Sequence, residues 1–532
     1  MAVDFKYLWE YVDEWSKLQP NKLAIRYYDR VYTFNEFNEI TERLSRAFLS
    51  MGVSKGDRVV TILPSIPEYV FTLIASNKLG AVVVPLDVRY READIKRFLS
   101  HVEPKIVVTL DRVEDNDILG SLIKLQQDIG TDLEYIVVGD TFDFGISFQE
   151  IINTEHFFFD ELEELKATQE PDEGALIIFT GGTTGIPKAA LLSHRNVSLM
   201  CAYEDEYINN LLKSLGVEGR FKTLVSLPPS HVGGTLENIG TALVGGLEMV
   251  MLERWSPYQV LETMINEEIP LFGGVPTMYS IVLNLPDLGR FDFSCIKLVV
   301  LSGEKVSLEL IEDIRNRLCR NIVVGYGSTE AGAEVTFTTP DVPSEKLAEG
   351  YVGKPLPGVE IQVVDEDDNP LPLGKVGEVL VGGDLTIKGY FTMPDEDREG
   401  FTPEGYCRTG DLGYLDREGG LYIKGRKKQI IRVGSYTVLP NEVEEVVLEE
   451  PGIAMAAAVG IPHEIYGEVV WLFVKPETGY EIKKEDIINT CSEKLADFKV
   501  PRKIVVRREI PVTRIGKADR DLLRKEAIDS LS

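Results

Sequence analysis

Cysteine is scarce in this chain of 532 residues, and what there is does not pair by pattern. Cys201, Cys295, Cys319, Cys407 and Cys491 are odd in number and widely scattered, with no CxxC. That excludes a disulfide framework and a cysteine-based zinc module, and it suits a reducing, cytoplasmic setting. No apolar run approaches the length needed to span a bilayer, so no integral membrane segment is expected. The start, Met-Ala-Val-Asp-Phe-Lys, lacks the basic-then-apolar plan of a secretory signal. Positive charge is also in deficit: 56 Lys and Arg stand against 86 Asp and Glu, a net charge of −30. Such a chain is not expected to bind nucleic acid, and an anionic ligand must be drawn in by local cations. Two basic runs exist: Lys424, Arg426, Lys427, Lys428 and Arg432, and a second from Lys499 to Lys517. Each taken alone reads as a solvated face. Repeats and low-complexity tracts are absent as well.

What remains is a globular composition, 44% hydrophobic and 27% charged, long enough for two or more domains. Residues 33–51 have helical apolar spacing, with Leu44, Phe48 and Leu49 on one face and Thr33 placed to cap the start. Segments 58–63, 81–86, 105–110, 135–139, 223–227, 248–252 and 297–301 are apolar and fit buried strands. Alternation of strand and helix implies an α/β fold with a parallel sheet covered on both faces. After about residue 340, short glycine-separated strands such as 360–364, 377–381 and 421–424 suggest a smaller β-rich part. The expected organisation is a large N-terminal domain, 1–425, with its β-rich part at about 340–425. A small mobile α+β domain, 426–532, follows a hinge at 425–428.

The most informative stretch is 179–188, Phe-Thr-Gly-Gly-Thr-Thr-Gly-Ile-Pro-Lys. Its glycines let successive backbone N–H groups surround an anion, and the apolar strand before it would steady the loop. Thr180, Thr183 and Thr184 add hydroxyl donors, and Lys188 a full charge. It is not the common GxxxxGK[ST] phosphate loop, because Lys188 follows Pro187 and precedes Ala189. Downstream lies Gly325-Tyr326-Gly327-Ser328-Thr329-Glu330, where Tyr326 could stack an adenine, Thr329 bond a phosphate and Glu330 ligate Mg²⁺. Arg408-Thr409-Gly410-Asp411 offers a carboxylate for ribose hydroxyls. Leu301-Ser302-Gly303-Glu304-Lys305 ends a strand with small residues suited to a flat base, and Lys517 sits on a glycine turn near the C-terminus. Each of these segments, alone, reads equally as an ordinary turn.

Together and in this order they resemble the adenylate-forming superfamily of acyl-CoA synthetases, luciferases and peptide-synthetase adenylation domains, most closely its medium- and long-chain fatty-acid ligases. The matching motifs are the Thr/Gly loop, Pro229-Ser230-His231, Tyr-Gly-Ser-Thr-Glu, Arg-Thr-Gly-Asp, Gly425-Arg426-Lys427-Lys428 and Gly516-Lys517. The resemblance implies that a carboxylate attacks the α-phosphate of Mg-ATP, after which the thiol of coenzyme A displaces AMP. It assigns ATP contacts to Thr180, Gly181, Gly182, Thr183, Thr184, Lys188, Gly303, Glu304, Lys305, Tyr326, Gly327, Ser328, Thr329, Asp411, Arg426 and Lys517. Lys517, His231 and Thr329 are the implied catalytic residues, Glu330 and Thr184 the implied Mg²⁺ ligands, and Lys428 the hinge about which the small domain rotates. Gly434, Ser435 and Tyr436 fall at the coenzyme A position. Three departures stand out: Gly181 for the usual serine, Gln429 for an acid, and Ser435 for a glycine.

The resemblance places His231, Val232, Gly233, Leu236, Val275, Gly327, Gly332 and Ala333 around the acyl group. Short-acid members carry a tryptophan where this chain has Gly327, so room is expected there. A fatty acid of medium or long chain is the first expectation and an aryl acid the second. Thr235, Glu237 and Glu334 are polar members of the same region. Amino-acid adenylation for a carrier protein is the rival chemistry. It would want an aspartate after His231, where this chain has Glu237, and a carrier domain, where this chain ends at Ser532. A homodimer is compatible with the sequence, which does not fix the assembly. His194 reads as packing at a helix start.

Overall fold

A computed structural model describes residues 3–114, 116–129, 133–139, 144–154, 159–180, 187–433, 436–463, 466–495, 497–512 and 518–531. The chain forms two compact units. One comprises Met1–Ala348, Val352–Ile361 and Leu380–Thr409; the other comprises Glu349–Tyr351, Gln362–Val379 and Gly410–Ser532.

Local chemistry starts the first unit as the sequence implies. Thr33 caps the helix Phe34–Ser50: its hydroxyl accepts from the Glu36 N–H at 3.2 Å, and the Glu36 carboxylate takes the Thr33 N–H at 2.8 Å. Such a reciprocal cap contributes about 1 kcal/mol. The face Phe34, Phe37, Leu44, Ala47 and Phe48 is fully buried. The next helix, Pro67–Lys78, is buried all round, and its final charge is matched rather than solvated. Lys78 Nζ donates to Asp13 at 2.9 Å and to Asn38 at 2.7 Å, and it pairs with Glu42.

The strand runs predicted at 58–63, 81–86, 105–110 and 135–139 form Arg58–Ile62, Val82–Pro85, Ile106–Leu110 and Glu134–Val138, all parallel neighbours. Gly174–Thr180 (β1) extends that sheet parallel to Val82–Pro85, and Lys188–Ser193 (β2) closes its edge antiparallel to β1. Helix His194–Ser214 (α1) follows directly, capped by the Ser193 hydroxyl. His194, its first residue, is only 2% exposed, with its ring edge-on to Tyr7 at 5.3 Å. A smaller sheet joins Lys222–Val225, Glu248–Met251, Leu23–Tyr27 and Arg30–Thr33.

Three parallel strands form the remaining framework of the first unit: Leu271–Gly274 (β3), Leu298–Leu301 (β4) and Ile322–Ser328 (β5). Their registers set Gly274 beside Leu301 and Leu301 beside Val324, so β3 and β4 end side by side while β5 runs on to Ser328. Ala333–Phe337 (β6) then returns antiparallel to β5. Open α/β sheets bind ligands at such carboxyl ends, where backbone groups and short loops converge.

The second unit ends in a sheet made from Tyr436–Val438, Ile431–Val433, Gly467–Pro476, Ile453–His463 and Lys503–Val506. Side chains alternate along a strand, and here both alternations are apolar. Ala456, Ala458, Val470, Leu472 and Val474 pack with Val443, Val447, Ile487 and Cys491. Their sequence neighbours Ala457, Val459, Val469, Trp471 and Phe473 pack with Leu523 and Ala527. Helices therefore cover both faces. The strand Leu421–Arg426 enters the segment read as a hinge, and Lys427–Gln429 follows it as a single 3₁₀ turn.

Candidate active site

The β1–β2 hairpin pairs Thr180 with Lys188, so the two ends of the Gly-rich loop face each other. Residues 181–186 between them, hence Gly181, Gly182, Thr183 and Thr184, lie outside the described residues. At the carboxyl end of β5, Thr329–Gly332 forms the turn into β6, closed by the Gly332 N–H on the Thr329 carbonyl at 3.1 Å. That turn presents Glu330 to the loop. Thr180 donates its hydroxyl to Glu330 Oε1 at 2.9 Å, and Tyr390 donates to the same oxygen at 3.2 Å. Lys188 Nζ lies 4.9 Å from the centre of the Tyr390 ring. Thr180, Lys188 and Glu330 are thus brought together from positions 150 residues apart.

Tyr390 is the residue that sequence reasoning missed. It arrives because 389–391 runs along β2: the Leu191 N–H reaches the Gly389 carbonyl, and the Phe391 N–H reaches Ala189. Burial, then the Glu330 charge, pushes its phenol well above the ordinary range, so it stays a neutral donor. Nothing around Tyr390 in the sequence marks this role, because the pairing is set by the sheet edge.

Of the other expected nucleotide residues, Gly303 is exposed at φ +80° just beyond β4, with Glu304 and Lys305 following it. Tyr326 lies on β5, half-buried, and Thr329 is buried. The Ser328 hydroxyl accepts from the Ala331 N–H at 3.1 Å and so helps shape the turn. In the second unit, Asp411 is buried opposite Arg426 in register, and Arg426 Nε reaches Asp411 Oδ1 at 2.7 Å. Gly434, Ser435 and Lys517 lie outside the described residues, as do the side chains of Lys428 and Tyr436.

Around the expected acyl region, Gly233 donates its N–H to His231 Nδ1 at 3.1 Å. With Nδ1 accepting that bond, a neutral His231 ring carries its proton on Nε2. His231 itself is exposed, Val275 half-buried, and Val232 buried. Leu236 is completely buried and belongs to the main core. Gly327 needs a different explanation from spare room. A Cβ there would stand 1.7 Å from the Ala333 carbonyl oxygen, so the glycine answers the close approach of β5 and β6. Gly332 is likewise required, since its Cβ would meet the Leu385 carbonyl oxygen at 2.1 Å. Ala333 holds φ +87° just beyond it, a conformation that alanine adopts at a cost of about 1–3 kcal/mol.

Two groups, buried His194 and half-buried Glu237, give opposite pH dependence of stability. Burial lowers the His194 pKa to about 4, so between that value and about 6.5 the unfolded chain binds more protons and acid destabilises the fold. Burial raises the Glu237 pKa to about 7, so the folded chain holds the extra proton and stability is lost as pH rises through 7. Glu237→Gln should therefore gain relative to the parent between pH 5 and pH 8, by at most about 3 kcal/mol. Thermal melts at both pH values check this; a pH-independent difference would contradict it.

A Gly-rich loop, a lysine and an oriented carboxylate at strand ends define a nucleotide-handling α/β enzyme. Residues 12–391 match the model of the AMP-binding enzyme family, and 442–517 match its C-terminal domain. The chain is 30% identical over 511 residues to a putative acyl-CoA ligase, YdaB, of Bacillus subtilis, covering 95% of this chain and 96% of that one. It is 28% identical over 531 residues to a long-chain-fatty-acid–CoA ligase of the same organism, covering 96% and 93%. Among solved structures it is similar to o-succinylbenzoate CoA synthetase from Bacillus subtilis in complex with an acyl-adenylate. The TM-score is 0.80 and the identity 25%, over 98% of this chain and 99% of that one. The chain belongs to the AMP-binding enzyme family and is an AMP-forming acid–CoA ligase. No helix among the described residues is long and apolar enough to cross a membrane.

Proposed function

We propose that this ligase activates an aliphatic carboxylic acid of medium or long chain and transfers it to coenzyme A. The observation that carries the reading is Glu330, fixed by Thr180 and Tyr390 beside Lys188 at the mouth of the Gly-rich loop. In the first half-reaction an acid oxygen attacks the α-phosphorus and the bond to pyrophosphate breaks. In the second, the thiol sulfur attacks the acyl carbon and the bond to AMP breaks. Both depend on charge neutralisation and in-line placement more than on covalent help. Lys188 supplies a fixed positive charge to the departing phosphates. Neutral His231 offers an Nε2–H donor near the acid. Mg²⁺ bound with ATP supplies further neutralisation, and Glu330 would hold it. One carboxylate plus substrate phosphates is a usual magnesium set, and no group of three potential metal ligands occurs among the described residues. Asp411 and Arg426 would take the ribose, Lys517 the α-phosphate and acid oxygens, and residues 434–436 the thiol.

Apolar Val232 and Val275, with a relative named for long-chain acids, support the aliphatic choice. An aryl acid is the second reading, favoured by the likeness to an o-succinylbenzoate synthetase. Pyrophosphate release across aliphatic, aryl and amino acids, with and without coenzyme A, tests both. Release with aliphatic acids, and thioester only when coenzyme A is present, is expected. Turnover confined to α-amino acids would overturn the reading.

A further inference from the structure

His101 takes no part in the steps above. It stands, half-buried, in the last turn of the helix Glu92–Val102. The end of that helix is fixed from the neighbouring sheet, where Arg58 donates to the carbonyls of Val102 at 2.6 Å and Glu103 at 2.8 Å. One turn earlier on the same face, buried Phe98 packs on Phe179 with ring centres 4.4 Å apart. His101 extends this contact: its ring stands edge-on to Phe179 and to Phe391, each at 6.2 Å. These two aromatics flank the groups that orient Glu330, because Phe179 precedes Thr180 and Phe391 follows Tyr390.

The imidazole also makes a directional bond. His101 Nε2 lies 3.1 Å from the Phe391 carbonyl oxygen, which can only accept, so that nitrogen carries a proton and donates. The Thr392 hydroxyl lies 3.5 Å from the same nitrogen. Thr392 holds φ +56°, a left-handed conformation that β-branched residues rarely adopt. Such strain persists only where surrounding bonds over-determine it, and it gathers at functional sites. Three bonds hold the residues leading into it. The Tyr390 N–H donates to Asp397 Oδ1 at 2.6 Å, the Phe391 N–H to Ala189 at 2.8 Å, and His101 holds the Phe391 carbonyl. That carbonyl belongs to the peptide plane whose rotation sets φ of Thr392, so the His101 bond bears directly on the strained residue.

We propose that His101 is a positioning residue for adenylation, acting through the 390–392 segment to keep the Tyr390 phenol on Glu330. The inference rests on the ligase reading, in which Glu330 serves the polyphosphate end of ATP. Release of the Phe391 carbonyl would let Thr392 relax and turn the chain just beyond Tyr390. The Tyr390–Glu330 bond, at 3.2 Å, is already long for a hydroxyl donor, so a small displacement would break it.

The test measures acid-dependent pyrophosphate release by the full chain, with thermal melts of each variant alone and with magnesium and ATP. His101→Ala should lower kcat about tenfold, as loss of a group that orients a metal-site residue does, and leave KM for the acid unchanged. Its melting temperature without ligands should hold, but the rise on adding magnesium and ATP should shrink. His101→Gln sets an amide N–H where Nε2 stands and should recover most of the rate. His101→Phe keeps the aromatic contacts and should not. Tyr390→Phe already lacks the bond to Glu330, so adding His101→Ala to it should slow release by less than about twofold. Multiplied losses, about 100-fold in the double variant, would give His101 an independent role and overturn the inference. So would a His101→Ala rate equal to the parent's, or a His101→Phe as active as His101→Gln; either leaves the ligase reading in place. Should His101→Ala fail to fold, the Gln and Phe variants decide by the same comparison. A parent chain silent with every acid would remove the ligase reading and this inference with it.

Discussion

Glu330→Gln is expected to reduce acid-dependent pyrophosphate release by about 100-fold or more while leaving the fold intact. The substitution removes the negative charge but keeps a carbonyl oxygen where Thr180 and Tyr390 donate. Weakening two charge-assisted bonds should shift stability by only about 1–2 kcal/mol. The loss in rate would therefore report the charge that magnesium and the polyphosphate require. Tyr390→Phe removes one of the two bonds and should cost about tenfold, because Thr180 still orients the carboxylate. Initial rates at saturating ATP and magnesium, with a thermal melt for each variant, separate these effects. Undiminished release by Glu330→Gln would show that the carboxylate only braces the turn.

Gly327→Ala should have the largest effect on stability, about 3 kcal/mol or more, with activity falling alongside it. The added methyl would stand 1.7 Å from the Ala333 oxygen and 2.5 Å from its carbonyl carbon. Backbone cannot retreat from that contact without breaking the Gly327–Glu334 and Ser328–Ala333 pairings. Those pairings hold the turn that presents Glu330, so the phosphate site should loosen as the strands part. Gly289→Ala is the matching control: a Cβ there meets nothing within 4 Å, and its melting temperature should barely move. Equal stability of both variants would mean that the β5–β6 hairpin can relax far more than its close approach suggests.

The sheet strands and the capped helix were legible because their signals are local. Apolar runs such as 58–63 and 105–110 bury on both faces, and Thr33 with Glu36 carries its own cap. Elsewhere local reading falls short. Gly327, read as room for an acyl chain, also stands at a point of contact between two strands. Leu236, placed beside the acyl group, lies in the core. In both cases the residue type was informative, but the neighbour that explains it is supplied by another strand or helix.

The sequence by itself determined the family, the order of the phosphate-handling motifs and the α/β character. Those depend on residue types at short spacings along one chain. Only the tertiary structure showed that Tyr390 joins Thr180, Lys188 and Glu330, and that a Thr180 hydroxyl and the Tyr390 phenol share one Glu330 oxygen. Parallel sheets bring remote segments to a common edge, and no spacing rule links residue 180 to 330 or 390. Burial is equally a property of the assembled fold: it leaves Glu334 with an unpaired oxygen and raises the pKa of Glu237.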